Sequence, residues 1–376
     1  MEKIEFYRHD IGEAELSSIA RTLRSLFLTL GPRVGEFEQA FAAFLGQKHV
    51  VGVSSCSMGL VLALEAIGIQ PGDEVVTTPM TFISTPNAAL FHGAVPVFAD
   101  VDPKTGILDP AAVEAAITPR TKAVIVVHLY GQLADMRRLR AICDRHHLAL
   151  IEDAAHAIEA ENDGVRVAEL GDFTVFSFYA TKTMTSGDGG AIAVRDPAMF
   201  ERLKRLRNHG VSKDASARHG GRYMHWDMVE FGYKAAMTDI EAALLLPQIE
   251  RLLRRRDIRQ SLVERYEGAL RGRTGIELMS RSGRSGHHLF TVLVPRGQRD
   301  AVLDGLGERG IGTAVNYRAV HTLHYYRERF GYAREAFPVA ADIGDRTLSL
   351  PLHTQLAERD VDRVALALGE TLAALR

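Results

Sequence analysis

The sequence predicts an α/β fold in which a mainly parallel β-sheet lies between layers of helices. Between residues 49 and about 200, short runs of β-branched and aromatic residues alternate with stretches of helical periodicity, which is the rhythm of a doubly wound sheet. Several of these runs are apolar on both faces, as strands of a parallel sheet are when helices cover each side. The alternation and the two-sided apolar runs together predict one large α/β domain.

Six runs have the length and composition of strands. In chain order they are HVVGVS, EVVTTP, VPVFAD, AVIVVHL, LALIED and FTVFSF. The stretches between them carry apolar residues at helical spacing, as in Leu60, Leu64 and Ile67, which fall on one face of a helix. The same spacing recurs in the stretch before LALIED, which continues the alternation of strands and helices.

The pattern changes near residue 239, and the C-terminal third of the chain predicts a smaller α+β domain. A long helical stretch is expected from roughly Asp239 to Leu270, with a run of arginines on a solvated face: Arg251, Arg254, Arg255 and Arg256. HHLFTVLVP and GIGTAVNY have the composition of strands, and the chain is expected to be helical again from Arg359. We therefore divide the chain into a large domain over 1–245, which includes the N-terminal segment, and a small C-terminal domain over 246–376.

Composition argues against several classes of protein. Across 376 residues, 45 Lys and Arg balance 47 Asp and Glu, and a formal net charge of −2 argues against a nucleic-acid partner. No run reaches the roughly 18 apolar residues of a membrane span, and MEKIEFYRHD lacks the apolar core of a secretory signal. Cys56 and Cys143 are too few for a disulfide framework and indicate a reducing compartment. The expected protein is soluble and cytoplasmic, without a membrane partner.

Histidines and glycines, which often mark metal and dinucleotide sites, do not have the required spacing here. The 15 histidines lack the spacing of a zinc site, so no metal is expected. The G-x-G-x-x-G of a dinucleotide-binding turn is absent. At the equivalent turn, VSSCSMGL places Ser54, Ser55 and Ser57 before a helix, where backbone N–H groups and the helix dipole can hold a phosphate. A plain serine N-cap is the alternative.

Two further residues follow predicted strands, where open α/β sheets bind their ligands. Asp153 ends LALIED, with His156 within one helical turn, and can hold a protonated ring nitrogen; a helix-start acid beside a buried histidine is the alternative. Lys182 follows FTVFSF and precedes GDGG, whose glycines allow a ligand to approach closely. A lowered lysine pKa there would free the amine for a Schiff base. A phosphate site, a carboxylate and a lysine are together the requirements of pyridoxal phosphate.

Motifs along almost the whole chain resemble those of the DegT/StrS-type nucleotide-sugar aminotransferases, which have the pyridoxal-phosphate-dependent fold type I. The matching segments are GPRVGEFEQAFAAFLG, PGDEVVTTPMTFISTPNAAL, IEDAAHA, FSFYATKTMTSGDGG, FGYKAAMTDIEAA and LSLPLH. Within the family, NYRAVHTLHYYRERF is most similar to the enzyme that forms UDP-4-amino-4-deoxy-L-arabinose. The resemblance implies that the large domain binds the cofactor.

The resemblance also implies roles for individual positions of the cofactor site. Lys182 matches the lysine that forms the Schiff base and moves the proton between substrate and cofactor, and Asp153 matches the carboxylate on the pyridine nitrogen. His156 matches the residue near the ring hydroxyl, and Phe82 matches an aromatic residue stacked on the ring. The hydroxyls of Ser57 and Ser177 and the backbone of Met58 match the groups that bind the cofactor phosphate.

Three departures from the family pattern concern the phosphate cup and the substrate. In the turn VSSCSMGL, Cys56 and Ser57 stand where the family often has Gly-Thr. The family's G-Y-N is G-Y-K here, so we expect Lys234 to reach from one subunit toward the cofactor phosphate of the other. Asn316 and Tyr317 replace a common His-Tyr or His-Phe, and together with Arg318 they are expected to contact the substrate.

These observations predict an aminotransferase that moves an amino group from L-glutamate to a nucleotide-linked 4-keto sugar, with a UDP sugar as first choice. The family's site lies at a dimer interface, so a homodimer is implied. A related 3-dehydratase has histidine in place of the lysine, and Lys182 argues against that activity. A non-catalytic regulator or scaffold is the alternative from another class, and the joint presence of Lys182, Asp153 and Ser177 argues against it.

Overall fold

The computed structural model of the chain describes residues 2–212 and 225–375. Its helices are α1 (Glu13–Leu23), α2 (Pro32–Leu45), α3 (Cys56–Ala66), α4 (Ser84–Leu90), α5 (Pro110–Ala116), α6 (Met136–His146), α7 (Pro197–Leu206), α8 (Asp239–Ile249), α9 (Leu252–Leu270), α10 (Arg299–Glu308), α11 (His324–Phe330), α12 (Pro338–Arg346) and α13 (Glu358–Ala374). Its strands are β1 (Val50–Val53), β2 (Glu74–Thr77), β3 (Val95–Phe98), β4 (Thr121–Val127), β5 (Ala149–Asp153), β6 (Glu161–Asn162), β7 (Val165–Arg166), β8 (Phe173–Ser177), β9 (Gly190–Val194), β10 (Glu277–Leu278), β11 (Phe290–Leu293) and β12 (Thr347–Leu350). The six strands predicted from the first half of the sequence are β1 to β5 and β8.

Within the described residues, seven strands form one sheet in the order β1-β9-β8-β5-β4-β2-β3. Neighbouring strands are parallel except at β9, which runs antiparallel to both β1 and β8. Because two antiparallel pairings restore the direction, β1 points the same way as β8, β5, β4, β2 and β3. The carboxyl ends of these strands therefore share one edge, and the prediction of a mainly parallel sheet is confirmed.

Both faces of this sheet are buried, because alternate residues of a strand pack into different cores. Along β4, Val124 and Val126 lie in one hydrophobic cluster with Phe37 of α2, whereas Ala123 and Ile125 lie in another cluster with α3. Helix α3 is apolar nearly all round, and most of its residues are buried accordingly. Helices thus cover the sheet on each side, as the two-sided apolar runs predict.

The strands β10, β11 and β12 form a separate antiparallel sheet. A third hydrophobic cluster covers it and includes Tyr266 of α9, Val302 of α10 and Leu368 of α13. Ile4 of the N-terminal segment lies in the same cluster. The chain therefore builds a smaller α+β unit after α8. The predicted boundary between residues 245 and 246 falls inside α8 and stays a prediction.

The helical stretch predicted over residues 239–270 is present as two helices, but the expectation that all of its arginines are solvated is wrong for Arg255. The stretch over residues 239–270 is interrupted, since α8 ends at Ile249 and α9 begins at Leu252. Arg255 is only 4% exposed, because its Nε donates a hydrogen bond to the Asp10 carboxylate at 2.8 Å.

Across residues 2–212 and 225–375, no helix has both the length and the apolar character needed to cross a membrane.

The expectation that GIGTAVNY forms a strand is also wrong. Ile311 and Ala314 make only isolated bridges, with Ile4 and Ser349 respectively. Beyond Ala314 the chain runs to the carboxyl edge of the large sheet, where the Asn316 carbonyl accepts a hydrogen bond from a tyrosine hydroxyl at 2.6 Å. The segment therefore supplies side chains to that edge and adds no strand to a sheet.

Candidate active site

A cavity of about 590 Å³ lies at the edge of the large sheet where the parallel strands end. Residues at the ends of β4, β5 and β8 and at the start of α3 contribute to its walls. Most of the predicted site residues line it: Ser57, Phe82, Asp153, His156, Ser177, Lys182, Asn316 and Tyr317. The fold thus brings side chains from distant parts of the chain into one cavity.

Asp153 is the last residue of β5, and its carboxylate is fixed in the cavity wall. The Thr85 hydroxyl donates to Oδ2 at 2.7 Å, and the Ala155 N–H donates to Oδ1 at 3.2 Å. The Cys56 thiol lies 3.8 Å from Oδ1, and burial raises the pKa of this thiol well above its usual value, so it stays protonated at neutral pH. The described residues give Asp153 no salt bridge, although it is only 4% exposed. A buried carboxylate without a cation is costly, and a protonated ring nitrogen would supply that cation.

Lys182 lies in the loop between β8 and β9, which hydrogen bonds hold in place. Its N–H donates to the Tyr179 carbonyl at 2.9 Å. The amide of Gln248 accepts a hydrogen bond from the Thr185 N–H at 3.1 Å and donates one to the Thr185 carbonyl at 2.7 Å. Burial lowers the pKa of Lys182 to about 8, although the Asp153 carboxylate raises it. About a tenth of the amine is therefore unprotonated and nucleophilic at pH 7.

His156 lines the cavity with a ring that has contacts on three sides. Its Nδ1 accepts the Tyr130 N–H at 3.3 Å, so we assign the proton to Nε2, which donates to the Tyr317 hydroxyl at 3.2 Å. The ring of His288 packs against it, with centroids 4.3 Å apart. Burial and the charge of Lys182 lower the pKa of His156 well below its usual value. The ring is therefore neutral at pH 7.

Aromatic and amide side chains form the rim of the cavity. Phe82 is 55% exposed, and its ring centroid lies 6.0 Å from that of Tyr317. An exposed ring at the mouth of a cavity is available to stack on a ligand. The Oδ1 atom of Asn316 is buried and has no hydrogen-bond partner within the part of the chain that is described. It can therefore accept a hydrogen bond from a ligand hydroxyl.

Hydroxyl groups gather at the start of α3. Ser55 caps this helix, since its side chain accepts the Met58 N–H at 3.1 Å. Ser57 lies in the first turn, Ser177 ends β8, and both line the cavity. Two hydroxyls beside the positive end of a helix suit an anion such as a phosphate. Met58 does not line the cavity and its N–H is bonded to Ser55, so its phosphate contact rests on the family resemblance alone.

Two cationic residues expected at the site lie outside the cavity. Lys234 is exposed, and its backbone pairs with Asn208 in an isolated bridge. Arg318 is also exposed and follows Tyr317 of the rim. The role predicted for Lys234 concerns a partner subunit, and it stays a prediction.

Sequence patterns did not single out Thr85 or His288 as site residues. Thr85 lies in α4 and is bonded to Asp153, which is 68 residues further along the chain. His288 precedes β11, is 6% exposed and lines the cavity. For His288 the signal available in the sequence was a pair of histidines leading into an apolar strand, whereas Thr85 lies beside other polar residues in STPNAAL and carried no signal.

The donor set fits the cofactor that the sequence predicts. Pyridoxal phosphate presents a ring nitrogen, an aldehyde and a phosphate to its protein. Asp153, Lys182 and the hydroxyls of Ser57 and Ser177 offer one group to each of these, all in the same cavity. In residues 2–212 and 225–375, no group of three or more His, Cys, Asp or Glu is placed to hold a metal ion.

Comparisons with known proteins lead to one family. The model of the DegT/DnrJ/EryC1/StrS aminotransferase family matches residues 9–369. The spore coat polysaccharide biosynthesis protein SpsC of Bacillus subtilis is 42% identical over 368 residues, which are 96% of this chain and 95% of SpsC. Spr1654 of Streptococcus pneumoniae, solved in its PLP form, superposes with a TM-score of 0.92 at 28% identity and 100% coverage of both chains. DesI, solved in the presence of its TDP-sugar product, superposes with a TM-score of 0.89 at 33% identity, covering 100% of this chain and 94% of DesI.

Proposed function

Because the chain belongs to the DegT/DnrJ/EryC1/StrS aminotransferase family, we propose that it transfers an amino group from L-glutamate to a nucleotide-linked 4-keto sugar. The family consists of sugar aminotransferases that use pyridoxal phosphate, so the predictions of family, fold class and cofactor are confirmed. The amino donor, the nucleotide and the position of the keto group go beyond family membership and constitute the proposal.

One observation carries the catalytic part of the proposal. Asp153 and Lys182 face the same cavity, one from the end of β5 and the other from the loop after the neighbouring strand β8. Bound pyridoxal phosphate supplies an electron sink for the carbon at which the amino group is exchanged. Asp153 would keep the ring nitrogen protonated. Lys182 would take up and return a proton at Nζ, for which a pKa of about 8 is well suited.

The neighbouring residues hold these two groups in position. Thr85 fixes the carboxylate of Asp153, and the amide of Gln248 fixes the loop of Lys182. His156 remains neutral because it is buried, so it adds a wall to the cavity without adding a charge. Preorganised groups of this kind stabilise a transition state without having to reorient during the reaction.

The rim of the cavity and the names of the relatives support the substrate part. SpsC is named for polysaccharide biosynthesis, and DesI was solved with a TDP-sugar product. In this chain, Oδ1 of Asn316 would accept a hydrogen bond from a sugar hydroxyl, and Arg318 is exposed beside the rim, where it could pair with a diphosphate. The segment beginning at Asn316 makes a UDP-linked sugar the first to test.

A homodimer with a shared active site, located in the cytoplasm, is part of the same proposal. Met228, Val229 and Phe231 are 55–66% exposed and lie close in sequence to Lys234. Neighbouring exposed apolar side chains favour a protein interface, and a second copy on this face would bury them. Both cysteines, Cys56 and Cys143, are buried free thiols, which is compatible with a reducing compartment.

The test is an assay of purified holoenzyme with L-glutamate and a panel of UDP-, dTDP- and GDP-linked keto sugars. We expect release of 2-oxoglutarate and formation of an amino sugar with at least one 4-keto sugar, and Lys182→Ala is the inactive control. Glutamate turnover without an amino sugar from any member of the panel would contradict the acceptor. A protein to which borohydride fixes no cofactor would favour the scaffold.

A further inference from the structure

His288 is a buried polar residue beside Lys182 to which the sequence patterns give no role. It lines the large cavity and also a second, smaller cavity of about 40 Å³. The residues common to the two cavities are Tyr7, Thr181, Lys182, His288 and Leu352. His288 therefore stands at the junction of the two cavities, next to the lysine that is proposed to react.

Backbone contacts hold the loop of His288 tightly against the turn after β4. The Gly286 N–H donates to the Gly131 carbonyl at 2.9 Å, and the Ser285 hydroxyl donates to the same oxygen at 3.1 Å. Gly131 has a φ of 100°, and a Cβ atom there would lie 2.8 Å from the backbone nitrogen of His287. Only glycine permits this close approach, so the position of His288 is fixed by the backbone.

A buried ion pair supports the same loop. Arg259 donates two hydrogen bonds to the Gly286 carbonyl, at 3.1 and 3.0 Å, and one to Glu159 at 2.7 Å. The side chains of Arg259 and Glu159 are 3% and 0% exposed. Because a buried ion pair contributes little net stability, its value here lies in fixing the loop that carries His288.

The ring of His288 is positioned but not hydrogen-bonded. It packs on His156 with centroids 4.3 Å apart and is 6% exposed. Among the residues that the structure describes, none forms a hydrogen bond with its ring nitrogens, and its side chain borders the cavities. Burial, followed by the charges of Lys182 and Arg259, lowers the pKa of His288 well below its usual value. The neutral ring has one N–H donor and one acceptor available to a ligand.

Cationic residues dominate the smaller cavity on the other side of His288. Arg8, Lys182, Arg255 and Arg259 line it. Arg255 is paired with Asp10 and Arg259 with Glu159, so within the described part of the chain Arg8 and Lys182 are the two cations of this lining that have no salt bridge. The resulting field favours an anion at the junction.

We propose that His288 binds a carboxylate of the amino donor, with a ring N–H donating the hydrogen bond. The inference rests on the proposed function and extends it to the recognition of the donor. An α-amino acid carries its carboxylate on the reacting carbon, next to Lys182. A nucleotide-linked 4-keto sugar carries its diphosphate several bonds away from the keto carbon. A neutral donor and a cationic field beside the lysine therefore suit the amino acid.

The test uses three variants of the holoenzyme and the unreactive dicarboxylate glutarate. His288→Phe keeps the ring against His156 but removes both nitrogens, and His288→Gln restores an N–H. His287→Phe is the matched control, since His287 lies in the same loop, is bonded to Gln260 and does not line the large cavity. Calorimetry gives the affinity for glutarate, and absorbance gives the cofactor bound per subunit.

We expect His288→Phe to bind glutarate about tenfold or more weakly, as the loss of a hydrogen bond to a charged group implies, with cofactor content unchanged. His288→Gln should recover most of the affinity, and His287→Phe should retain it. Normal glutarate binding by His288→Phe would overturn the inference. So would a His288→Phe variant that loses glutarate binding and cofactor together, or a His288→Gln variant that does not recover the affinity. If wild-type holoenzyme does not convert L-glutamate to 2-oxoglutarate, the proposed function fails instead.

Discussion

The inner part of the cavity and its rim hold their side chains in different ways. Asp153 and Ser177 end neighbouring parallel strands and are less than 8% exposed. Phe82, Asn316 and Arg318 lie on connecting segments, and Phe82 is 55% exposed. Strand register sets the positions of the inner residues, whereas loop conformation sets those of the rim. The comparison suggests that the chemistry common to all substrates is built on the sheet and that substrate choice is built on the segments above it.

This difference has consequences that substitutions can measure. A change in the inner part should slow the reaction with every substrate, because it acts on groups that the cofactor needs. A change at the rim should discriminate between substrates and leave the reaction with L-glutamate nearly intact. A rim substitution that slowed both half-reactions equally would contradict this division of roles between the inner part of the cavity and its rim.

Lys182→Ala is expected to have the largest effect. Lys182 is proposed both to hold the cofactor covalently and to move the proton, so without its amine the release of 2-oxoglutarate should fall by at least about 10⁴-fold. Borohydride treatment should also no longer fix the cofactor to the protein. The assignment is wrong if the variant releases 2-oxoglutarate at close to the wild-type rate.

Asp153→Asn should have the next largest effect. An amide cannot keep the ring nitrogen protonated as a carboxylate does, so the rate should fall by about 10²-fold or more while some cofactor stays bound. The matched control is Glu152→Gln, since Glu152 is the preceding residue of β5, is bonded to His128 and Thr174, and does not line the cavity. That variant should lose stability and keep its turnover per bound cofactor. A loss below about tenfold for Asp153→Asn, or ~1.4 kcal/mol in barrier, would indicate a structural acid.

The sequence predicted the inner part of the site better than its supports. Asp153 and Lys182 follow recognisable strands, and parallel strands bring their ends together, so their meeting in one cavity was predictable. The hydroxyl that fixes Asp153 belongs to Thr85 on another element, and no local pattern records such a pairing. His288 is placed by contacts of its loop with Gly131, a residue far away in the sequence.

The errors of prediction have the same physical origin. A run of arginines is normally solvated, and Arg255 is buried here because Asp10, 245 residues away in the sequence, accepts its hydrogen bond. GIGTAVNY has the composition of a strand, but Asn316 and Tyr317 at its end are drawn to the cavity by contacts with Tyr130 and His156. Tertiary partners decided both outcomes, and local composition contains no information about them.

Asn316→Ala tests the rim and should have a smaller and more selective effect. Loss of the buried Oδ1 acceptor should raise KM for the keto sugar by about tenfold, the value of one hydrogen bond to a neutral partner, while the half-reaction with L-glutamate stays within about twofold of wild type. The two half-reactions are measured separately by single turnover. Equal losses in both would show that Asn316 supports the inner part of the site after all.

Lys234→Ala should have the smallest effect. Lys234 is exposed in the single chain and follows the apolar face of Met228, Val229 and Phe231. If that face is the dimer interface, the ammonium of Lys234 can reach the cofactor phosphate of the other subunit as a mobile point charge. Its loss should weaken cofactor retention by about threefold to fivefold, typical of a partly solvated charge pair, and should shift the dimer toward monomer in sedimentation experiments.

Mixed dimers decide whether the contact crosses the interface. In a heterodimer of Lys234→Ala and Lys182→Ala subunits, the site that keeps Lys182 receives Lys234 from its partner, so this site is complete. The other site lacks both lysines. The purified heterodimer should therefore have about half the activity of the wild-type dimer when cofactor is limiting, which is above the level of either parent. If Lys234 acts within its own subunit, the site that keeps Lys182 belongs to the Lys234→Ala subunit and has no Lys234. Its activity then equals that of a site in the Lys234→Ala homodimer, and no recovery is seen. Recovery would show that one contact of the phosphate end comes from the other subunit, in addition to those that strand register positions within one chain.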